Sequence, residues 1–199
     1  MKLERGINLG GYLSQCVHNT EHYDAFIQEE DIRKIASMGF DHVRLAIDYE
    51  YGRTREEGFA YVTRVVEWCK RQGLNIVLDL HKAYGYDFNN AGDKEKNILF
   101  TNKMVQKRFV NLWIKIAEHY ANETHVAFEL LNEVVEQENA EAWNLLIAET
   151  VDAIRRIARD TIIIYGGIQW NSVKTLKLLE KPKDENILFT FHFYEPLLF

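Results

Sequence analysis

The chain has 199 residues, of which 47% are hydrophobic and 27% are charged, and its formal net charge is −6. This length allows one domain with a sizeable core. Acidic and basic residues are mixed along the chain, so no basic patch indicates nucleic-acid binding. The longest apolar run lies within Val126–Leu131, where Glu129 interrupts it, and is too short to cross a membrane. We therefore expect a single domain, residues 1–199, whose partner is neither nucleic acid nor a membrane.

The first residues and the two cysteines bear on the cellular compartment. Residues 1–6 contain no apolar segment of the kind that directs secretion. This is compatible with a cytoplasmic protein and with a secreted protein whose signal has been removed. Cys16 and Cys69 are too few for a disulfide framework, and their spacing does not fit a zinc site. A reducing compartment is therefore the mild expectation.

Six short runs rich in Val, Ile, Leu and Phe recur along the chain. Such runs are typical of parallel strands that are buried on both faces. The predicted strands are Gly6–Leu9, His42–Ile47, Asn75–Leu80, Val126–Leu131, Thr161–Tyr165 and Ile187–Phe193.

Amphipathic stretches lie between these runs. Glu29–Met38 has apolar residues at helical spacing, and Gly39 follows it as a predicted C-cap. Four further apolar stripes predict helices over residues 62–69, 105–120, 143–158 and 173–179. The alternation of strand and helix predicts right-handed βαβ units in a single domain.

Two α/β folds accommodate six such units: an open doubly wound sheet and an incomplete barrel. A doubly wound sheet that binds a dinucleotide often has the pattern Gly-x-Gly-x-x-Gly after its first strand. The glycine-rich segment at residues 6–11 does not fit this pattern, and no helix follows it directly. A dinucleotide site is therefore not expected, and the residues at the strand ends favour the barrel.

Polar residues stand at the ends of five successive predicted strands, where the chemistry of a βα barrel takes place. Taken singly, each of them has another explanation, since a polar residue there often caps a helix or is buried with a backbone partner. Their occurrence together at one rim favours a functional site. The residues are Arg44, Asp48, Asp79, His81, Asn132, Glu133, Tyr165, His192 and Tyr194.

Two of these residues suit the cleavage of a glycosidic bond. That reaction needs one carboxylic acid to protonate the leaving oxygen and a second carboxylate to attack carbon or activate water. Glu133 is suited to the acid role, and Asn132 to holding the sugar 2-hydroxyl. Glu129 lies about 13 Å deeper in the strand than Glu133, at ~3.3 Å per residue. It is therefore expected to neutralise a buried cation such as Arg44.

The remaining polar and aromatic residues suit sugar binding. His81, His192 and Tyr194 offer hydrogen bonds to sugar hydroxyls. Trp170, Tyr84 and Tyr86 are candidates for stacking on pyranose rings, although aromatic side chains are more often part of a core.

Five segments of the chain resemble glycoside hydrolase family 5, most nearly its small clostridial-type cellulases. They are Gly-Ile-Asn-Leu-Gly-Gly at 6–11, Gly-Phe-Asp-His-Val-Arg-Leu at 39–45, Leu-Asp-Leu-His at 78–81, Ala-Phe-Glu-Leu-Leu-Asn-Glu at 127–133, and Phe-His-Phe-Tyr at 191–194. The resemblance implies a (β/α)8 barrel of the TIM type, here limited to about six βα units. It also implies cleavage of β-linked glucans with retention, without cofactor or metal.

The resemblance also implies roles for individual residues. Glu133 matches the family's acid/base, and Asn132 matches its neighbour at the same sugar. The other matches around that sugar are Arg44, His81, His192 and Tyr194.

The chain departs from the family pattern in two respects. Val134 stands where the family often has proline, which we expect to alter the loop little. The family's nucleophile is a glutamate on a seventh strand and an eighth strand carries a tryptophan, and neither has a counterpart here. Glu195 is a poor substitute, because its side-chain parity opposes that of His192 and Tyr194. The missing second carboxylate has three possible explanations. The chain is a fragment of a longer enzyme, it is the ordered part of a longer chain, or two chains together complete a site.

An open six-stranded sheet would expose strands 1 and 6 as edges that are prone to pairing, so self-association or poor solubility is expected.

The leading hypothesis is an endo-acting β-glucanase. The alternatives are a non-catalytic glucan-binding or scaffold remnant, and a half-barrel that is active only when associated. A metal-dependent hydrolase is disfavoured, because His81 and His192 lack a carboxylate at ligand spacing.

Overall fold

The computed structural model describes residues 1–49 and 57–195. Within them, six parallel strands form one sheet in sequential order. The strands are β1 Gly6–Leu13, β2 His42–Asp48, β3 Asn75–Lys82, β4 Val126–Glu129, β5 Ile163–Gly166 and β6 Ile187–Thr190. All six predicted strands are present, and the predicted α/β fold, a TIM-barrel type limited to six βα units, is confirmed.

The strand bounds differ from the prediction by one or two residues in β2, β3 and β5, and the ends of the other three strands differ as follows. β1 continues four residues past Leu9, β4 ends at Glu129, and β6 ends at Thr190. Regular pairing stops there because the chain leaves the sheet to form the loops at its carboxyl end. Past β6, an isolated bridge joins His192 to Ser172. Of the predicted strand beyond Thr190, only this single contact is present.

Helices connect the strands in the described part of the chain: α1 Thr20–Ala25, α2 Glu29–Ser37, α3 Glu57–Gln72, α4 Lys103–Tyr120 and α5 Ala140–Arg155. Gly39 and Gly73 follow α2 and α3 with φ of 83° and 69°, so glycine ends both helices, as predicted for Gly39. The predicted helix over 173–179 is instead a 3-10 helix, Val173–Leu178. Val173, Leu176 and the C-cap residue Leu179 recur every three positions, which matches the three-residue turn. None of the described helices is both long and apolar enough to cross a bilayer.

The main core lies between the sheet and the helices. Leu78 of β3 and Phe128 of β4 are fully buried there. Trp113 of α4 packs on Phe128, and its indole N–H donates to the Leu130 carbonyl at 3.1 Å. This bond attaches α4 to the segment that follows β4, and so fixes the start of the loop that carries Asn132.

The opposite face of the sheet, here called the inner face, becomes polar toward the carboxyl ends of the strands. Val77, Ala127 and Ile164 form a small apolar cluster on it. Side chains alternate along a strand, so Asp79 and Glu129 follow on the same face as Val77 and Ala127. The register pairs Asp79 with Glu129, which sets two carboxylates of neighbouring strands side by side.

β1 and β6 are the outer strands of the sheet, and each pairs with one neighbour among the described residues. Leu188 and Phe189 of β6 are 42% and 41% exposed, and Phe191 just beyond is 49% exposed. The described part of the chain therefore has the apolar, unpaired edge that the sequence predicts.

Candidate active site

Arg44 of β2 is the centre of a buried polar cluster on the inner face. Its guanidinium donates to both oxygens of Glu129, at 2.7 Å from Nε and 2.8 Å from Nη2. Nη2 also lies 3.0 Å from Oδ2 of Asp79. The predicted pairing of Glu129 with a buried cation is confirmed. Glu129 is therefore a structural partner of Arg44, with both of its oxygens engaged.

Burial governs the electrostatics of this cluster. Burial alone would lower the pKa of Arg44, but the carboxylates of Asp79 and Glu129 raise it above its ordinary value. Burial raises the pKa of Glu129, and the Arg44 guanidinium opposes that rise. Two carboxylates withdrawn from water would be costly without a cation between them. Arg44 is thus the group on which the stability of the cluster depends.

Arg44 also orients two asparagine side chains. Its Nη2 donates to Oδ1 of Asn132 at 3.1 Å, and its Nη1 donates to Oδ1 of Asn8 at 3.0 Å. The backbone N–H of Asn132 donates to the Leu80 carbonyl at 3.0 Å, so the residue is fixed at two points. Because a guanidinium only donates, the bonded atom of Asn132 must be its oxygen. The NH2 group of Asn132 is therefore the part that can meet a hydroxyl.

Glu133 follows Asn132 in an unusual backbone conformation. Its φ is +40°, a left-handed value that costs a non-glycine residue on the order of 1–2 kcal/mol. Its Oε1 lies 2.6 Å from Nδ1 of His192, and the Glu133 side chain is 12% exposed. Glu133 follows β4 and His192 follows β6, so this bond spans the intervening strand β5. It brings two predicted site residues into direct contact.

Tyr86, in the loop after β3, contacts the backbone of Glu133 and of Val135. Its hydroxyl donates to the Glu133 carbonyl at 2.9 Å and accepts from the Val135 N–H at 2.9 Å. The residue is 2% exposed, and its ring lies edge-on to Phe100 with centroids 5.3 Å apart. The suggestion that Tyr86 stacks on a sugar is therefore wrong, because its ring is buried in the core.

His81 is held between two side chains at the end of β3. Its Nδ1 lies 2.6 Å from Oδ2 of Asp79, and its Nε2 lies 2.8 Å from Nε2 of Gln15. An ionised Asp79 can only accept, so Nδ1 carries the proton, and in the neutral ring Nε2 accepts from the Gln15 amide. Asp79 therefore connects His81 to Arg44, and these three predicted residues form one hydrogen-bonded network.

These side chains border a cleft of about 710 Å³ at the carboxyl ends of the strands. The volume is in the range of small-molecule sites. The predicted residues that line it are Arg44, His81, Asn132, Glu133, His192 and Tyr194. Phe88 and Phe193 add aromatic surface to the lining. Tyr194 is 69% exposed, so it stands at the mouth of the cleft. Among the described residues, no group of three or more His, Cys, Asp or Glu is arranged to hold a metal.

Two of the aromatic candidates lie away from the cleft. Trp170 is 51% exposed, and its backbone N–H donates to the Val134 carbonyl at 3.1 Å, so it lies beside the loop that carries Glu133. Its ring is not part of the cleft lining. Tyr84 is covered on one ring face by the guanidinium of Arg108, which lies 3.5 Å from the ring centroid.

The sequence prediction missed two residues of this site, Asn8 and Gln15, and it missed the contact of Tyr86 with the backbone of the Glu133 loop. Asn8 lies within β1 and pairs in register with Arg44, so its place in a predicted strand beside that of Arg44 was a usable signal. Gln15 lies beyond the predicted end of β1, and nothing in its neighbourhood marks it. Its φ of +53° depends on how the chain turns after β1.

Known proteins are similar in sequence to this chain along nearly its whole length. The model of the cellulase family, glycosyl hydrolase family 5, matches residues 5–199. Endoglucanase C of Acetivibrio thermocellus is 45% identical over 208 residues, which cover 100% of this chain and 60% of that protein. Cellodextrinase A of Ruminococcus flavefaciens is 42% identical over 201 residues, which cover 98% of this chain and 59% of that protein. The chain therefore spans about three fifths of the length of these relatives.

The fold is shared as well. A crystal structure of an endoglucanase from Thermotoga maritima superposes with a TM-score of 0.81 at 28% identity, covering 98% of this chain and 62% of that one. The likeness thus includes the sheet and the loops that carry the polar cluster. With the family match over nearly all of its residues, this chain belongs to the cellulase family, glycosyl hydrolase family 5.

Proposed function

We propose that this chain provides the cleft and the acid/base residue of an endo-acting β-glucanase that hydrolyses β-linked glucans with retention. The observation that carries the proposal is the Glu133 carboxylate in the cleft, bonded to His192 and adjacent to Asn132. The substrate class is supported by two relatives, one named an endoglucanase and the other a cellodextrinase.

In this mechanism Glu133 acts twice. It first protonates the glycosidic oxygen, and it then takes a proton from the water that attacks the glycosyl-enzyme intermediate. The bond from His192 Nδ1 engages Oε1, which leaves Oε2 to carry the transferred proton. The NH2 group of Asn132 donates to the sugar 2-hydroxyl, a contact that strengthens in the transition state. Arg44 holds Asn132 in that orientation.

The other predicted residues bind the substrate. His192 and Tyr194 supply hydrogen bonds to the hydroxyls of the sugar beside Glu133, and His81 does so when a hydroxyl replaces the Gln15 amide at its Nε2. Trp170 lies outside the cleft lining, so in this proposal its half-exposed ring stacks on a more distant sugar. No step of the scheme uses a cofactor or a metal.

The attacking carboxylate comes, in this proposal, from residues other than those described at the cleft. Glu129 is the second carboxylate among the described lining residues, and Arg44 engages both of its oxygens. A retaining pair needs carboxyl groups about 5 Å apart. Either a segment outside the described residues or a second chain has to bring that group to Glu133.

Product analysis on the purified protein tests the proposal. Mixed-linkage β-glucan is incubated with it, and the intact mass of the protein is measured on the same sample. We expect ¹H NMR to show the β-anomer of the new reducing end before mutarotation, and viscosity to fall early because cleavage is internal. An initial α-anomer would contradict retention, and early release of monomer without loss of viscosity would contradict endo action.

A second candidate, glucan binding without turnover, is favoured by one observation. Among the described residues that line the cleft, Glu133 is the carboxylate that Arg44 does not engage, and a retaining reaction needs two. This candidate predicts that cellohexaose binds in calorimetry while prolonged incubation releases no reducing sugar. Calorimetry and product analysis on the same sample therefore distinguish the two functions.

We further propose that two chains associate through the exposed sheet edge. The strand β6 and the adjoining Phe191 present apolar side chains and unpaired backbone groups among the described residues. Multi-angle light scattering over a dilution series should therefore give a mass above that of the monomer. Phe191→Lys should shift the distribution toward monomer. Leu145→Lys, at a 61% exposed position on α5, is the matched control and should leave it unchanged. A monomer mass at every concentration, with cooperative melting, would refute the association.

A further inference from the structure

A single buried hydroxyl joins the loop after β3 to the loop after β4. We propose that Tyr86, through this hydroxyl, is a positioning residue for Glu133 that holds its backbone in the left-handed conformation and its carboxylate on His192. The inference rests on the proposed function, in which Glu133 is the acid/base.

The backbone at Glu133 needs external support, because its φ of +40° is rare for a residue with a side chain. The next two carbonyls are bound from the other side of the loop. Val134 accepts from the Trp170 N–H at 3.1 Å, and Val135 accepts from the Gln169 N–H at 3.2 Å. Tyr86 supplies the support on the near side, since its hydroxyl bonds the carbonyl of Glu133 and the N–H of Val135.

Tyr86 is itself rigidly placed. Ala83 and Tyr86 exchange two backbone bonds of 3.0 and 2.9 Å across a tight turn. Gly85 in this turn has a φ of +74°, and a Cβ there would lie 2.9 Å from Cγ1 of Val105, so the turn requires glycine. The ring of Tyr86 packs edge-on against Phe100. The hydroxyl is therefore fixed relative to the core.

The hydroxyl also keeps its proton. Burial raises the pKa of Tyr86 above its ordinary value. The group therefore remains a donor to the Glu133 carbonyl throughout the pH range in which glycosidases work. A donor that persists in this way suits a fixed support for the backbone.

Loss of this hydroxyl would release the carboxylate. The Glu133 carbonyl and the Val135 N–H would lose their partner, and the backbone could relax toward a commoner φ. Because the carboxyl group lies at the end of a three-bond side chain, a small backbone rotation moves it away from His192. A displacement of about 1 Å at a reacting group can cost about 100-fold in rate.

The first test needs no turnover and compares two buried tyrosines. Tyr86→Phe removes the bridging hydroxyl. Tyr120→Phe removes a hydroxyl that bonds Thr63 at 2.9 Å, from a ring that is also 2% exposed. The imidazole N–H resonance of His192 is followed by ¹H–¹⁵N NMR. We expect Tyr86→Phe to move or broaden it and Tyr120→Phe to leave it in place. An unchanged resonance in folded Tyr86→Phe overturns the proposal.

A second variant covers the case in which Tyr86→Phe does not fold. Incorporation of 3,5-difluorotyrosine at position 86 keeps the hydroxyl but makes it more acidic, so that it donates more strongly to the Glu133 carbonyl and accepts less well from the Val135 N–H. We expect this change in both bonds to move the His192 resonance from its wild-type position. An unchanged resonance in this variant likewise overturns the proposal.

The second test uses aryl β-cellobiosides whose leaving groups range from dinitrophenol to phenol. If Tyr86 positions the acid, Tyr86→Phe should lower kcat/KM, which reports formation of the glycosyl-enzyme, about 10- to 100-fold for the poor leaving groups and little for dinitrophenol. An equal loss across the series overturns the positioning role. Failure of the wild-type chain to turn over any substrate would count against the proposed function alone, because the His192 resonance still decides the role of Tyr86.

Discussion

Replacement of Glu133 with alanine is expected to slow the hydrolysis of unactivated β-glucan by about 100- to 10,000-fold, the contribution usual for general acid–base catalysis. A methyl group cannot protonate the leaving oxygen, whereas the bonds from Arg44 to Asn132 and Glu129 remain in place. The loss should therefore fall on kcat, and the Kd for cellohexaose should stay near that of the wild type. Initial rates of reducing-sugar release and calorimetry measure the two quantities.

An activated substrate separates loss of the acid from general damage to the site. Dinitrophenolate leaves without a proton, so Glu133→Ala should still form the glycosyl-enzyme from dinitrophenyl β-cellobioside. Azide needs no general base, so it should restore turnover and yield the β-glycosyl azide. Glu138→Ala is the matched control, because Glu138 is an exposed glutamate five residues further along the chain. No acceleration by azide, or an equal loss in Glu138→Ala, would refute the acid/base assignment.

Replacement of Arg44 with leucine is expected to lower the free energy of unfolding by about 3–5 kcal/mol, the usual cost of breaking a buried ion pair. Glu129 and Asp79 are 2% and 0% exposed, and both would be left without their cation. Such a loss is a large part of the roughly 5–15 kcal/mol that stabilises a typical domain. Urea unfolding at pH 7, followed by tryptophan fluorescence, measures it.

The same variant should show a distinctive pH dependence. Arg44 opposes the rise that burial causes in the pKa of Glu129, so its removal raises that pKa further above the unfolded value. A group with a raised pKa in the folded state favours folding below that pKa and disfavours it above. The loss of unfolding free energy in Arg44→Leu, relative to the wild type, should therefore become smaller as the pH falls from 7 toward 5. Arg71→Leu removes an arginine from an exposed pair with Glu29 and should cost little at either pH. A deficit of similar size in both variants, or one that does not depend on pH, would show that the cluster does not depend on Arg44.

Much of the site follows from strand periodicity. The apolar runs locate the six strands, and alternation within them sets Arg44, Asp79 and Glu129 on one face. The pairing of Glu129 with Arg44 was predictable because an interior carboxylate needs a cation. The five quoted segments were also sufficient to indicate the family. These features depend on the local sequence and on the cost of burying charge, so one sequence is enough to predict them.

The sequence by itself thus determined the sheet, the face that carries the polar residues and the identity of the acid/base candidate. Only the tertiary structure decided which groups touch Glu133 and how its backbone turns. Beyond the strand ends, side-chain direction no longer follows a period of two, and each loop takes its conformation from contacts with other loops. Tyr86 illustrates this: its sequence context marks an aromatic residue after a strand, whereas its hydroxyl meets Glu133 only because two loops pack together. For the same reason Trp170, also beyond a strand end, lies beside the loop and not in the cleft.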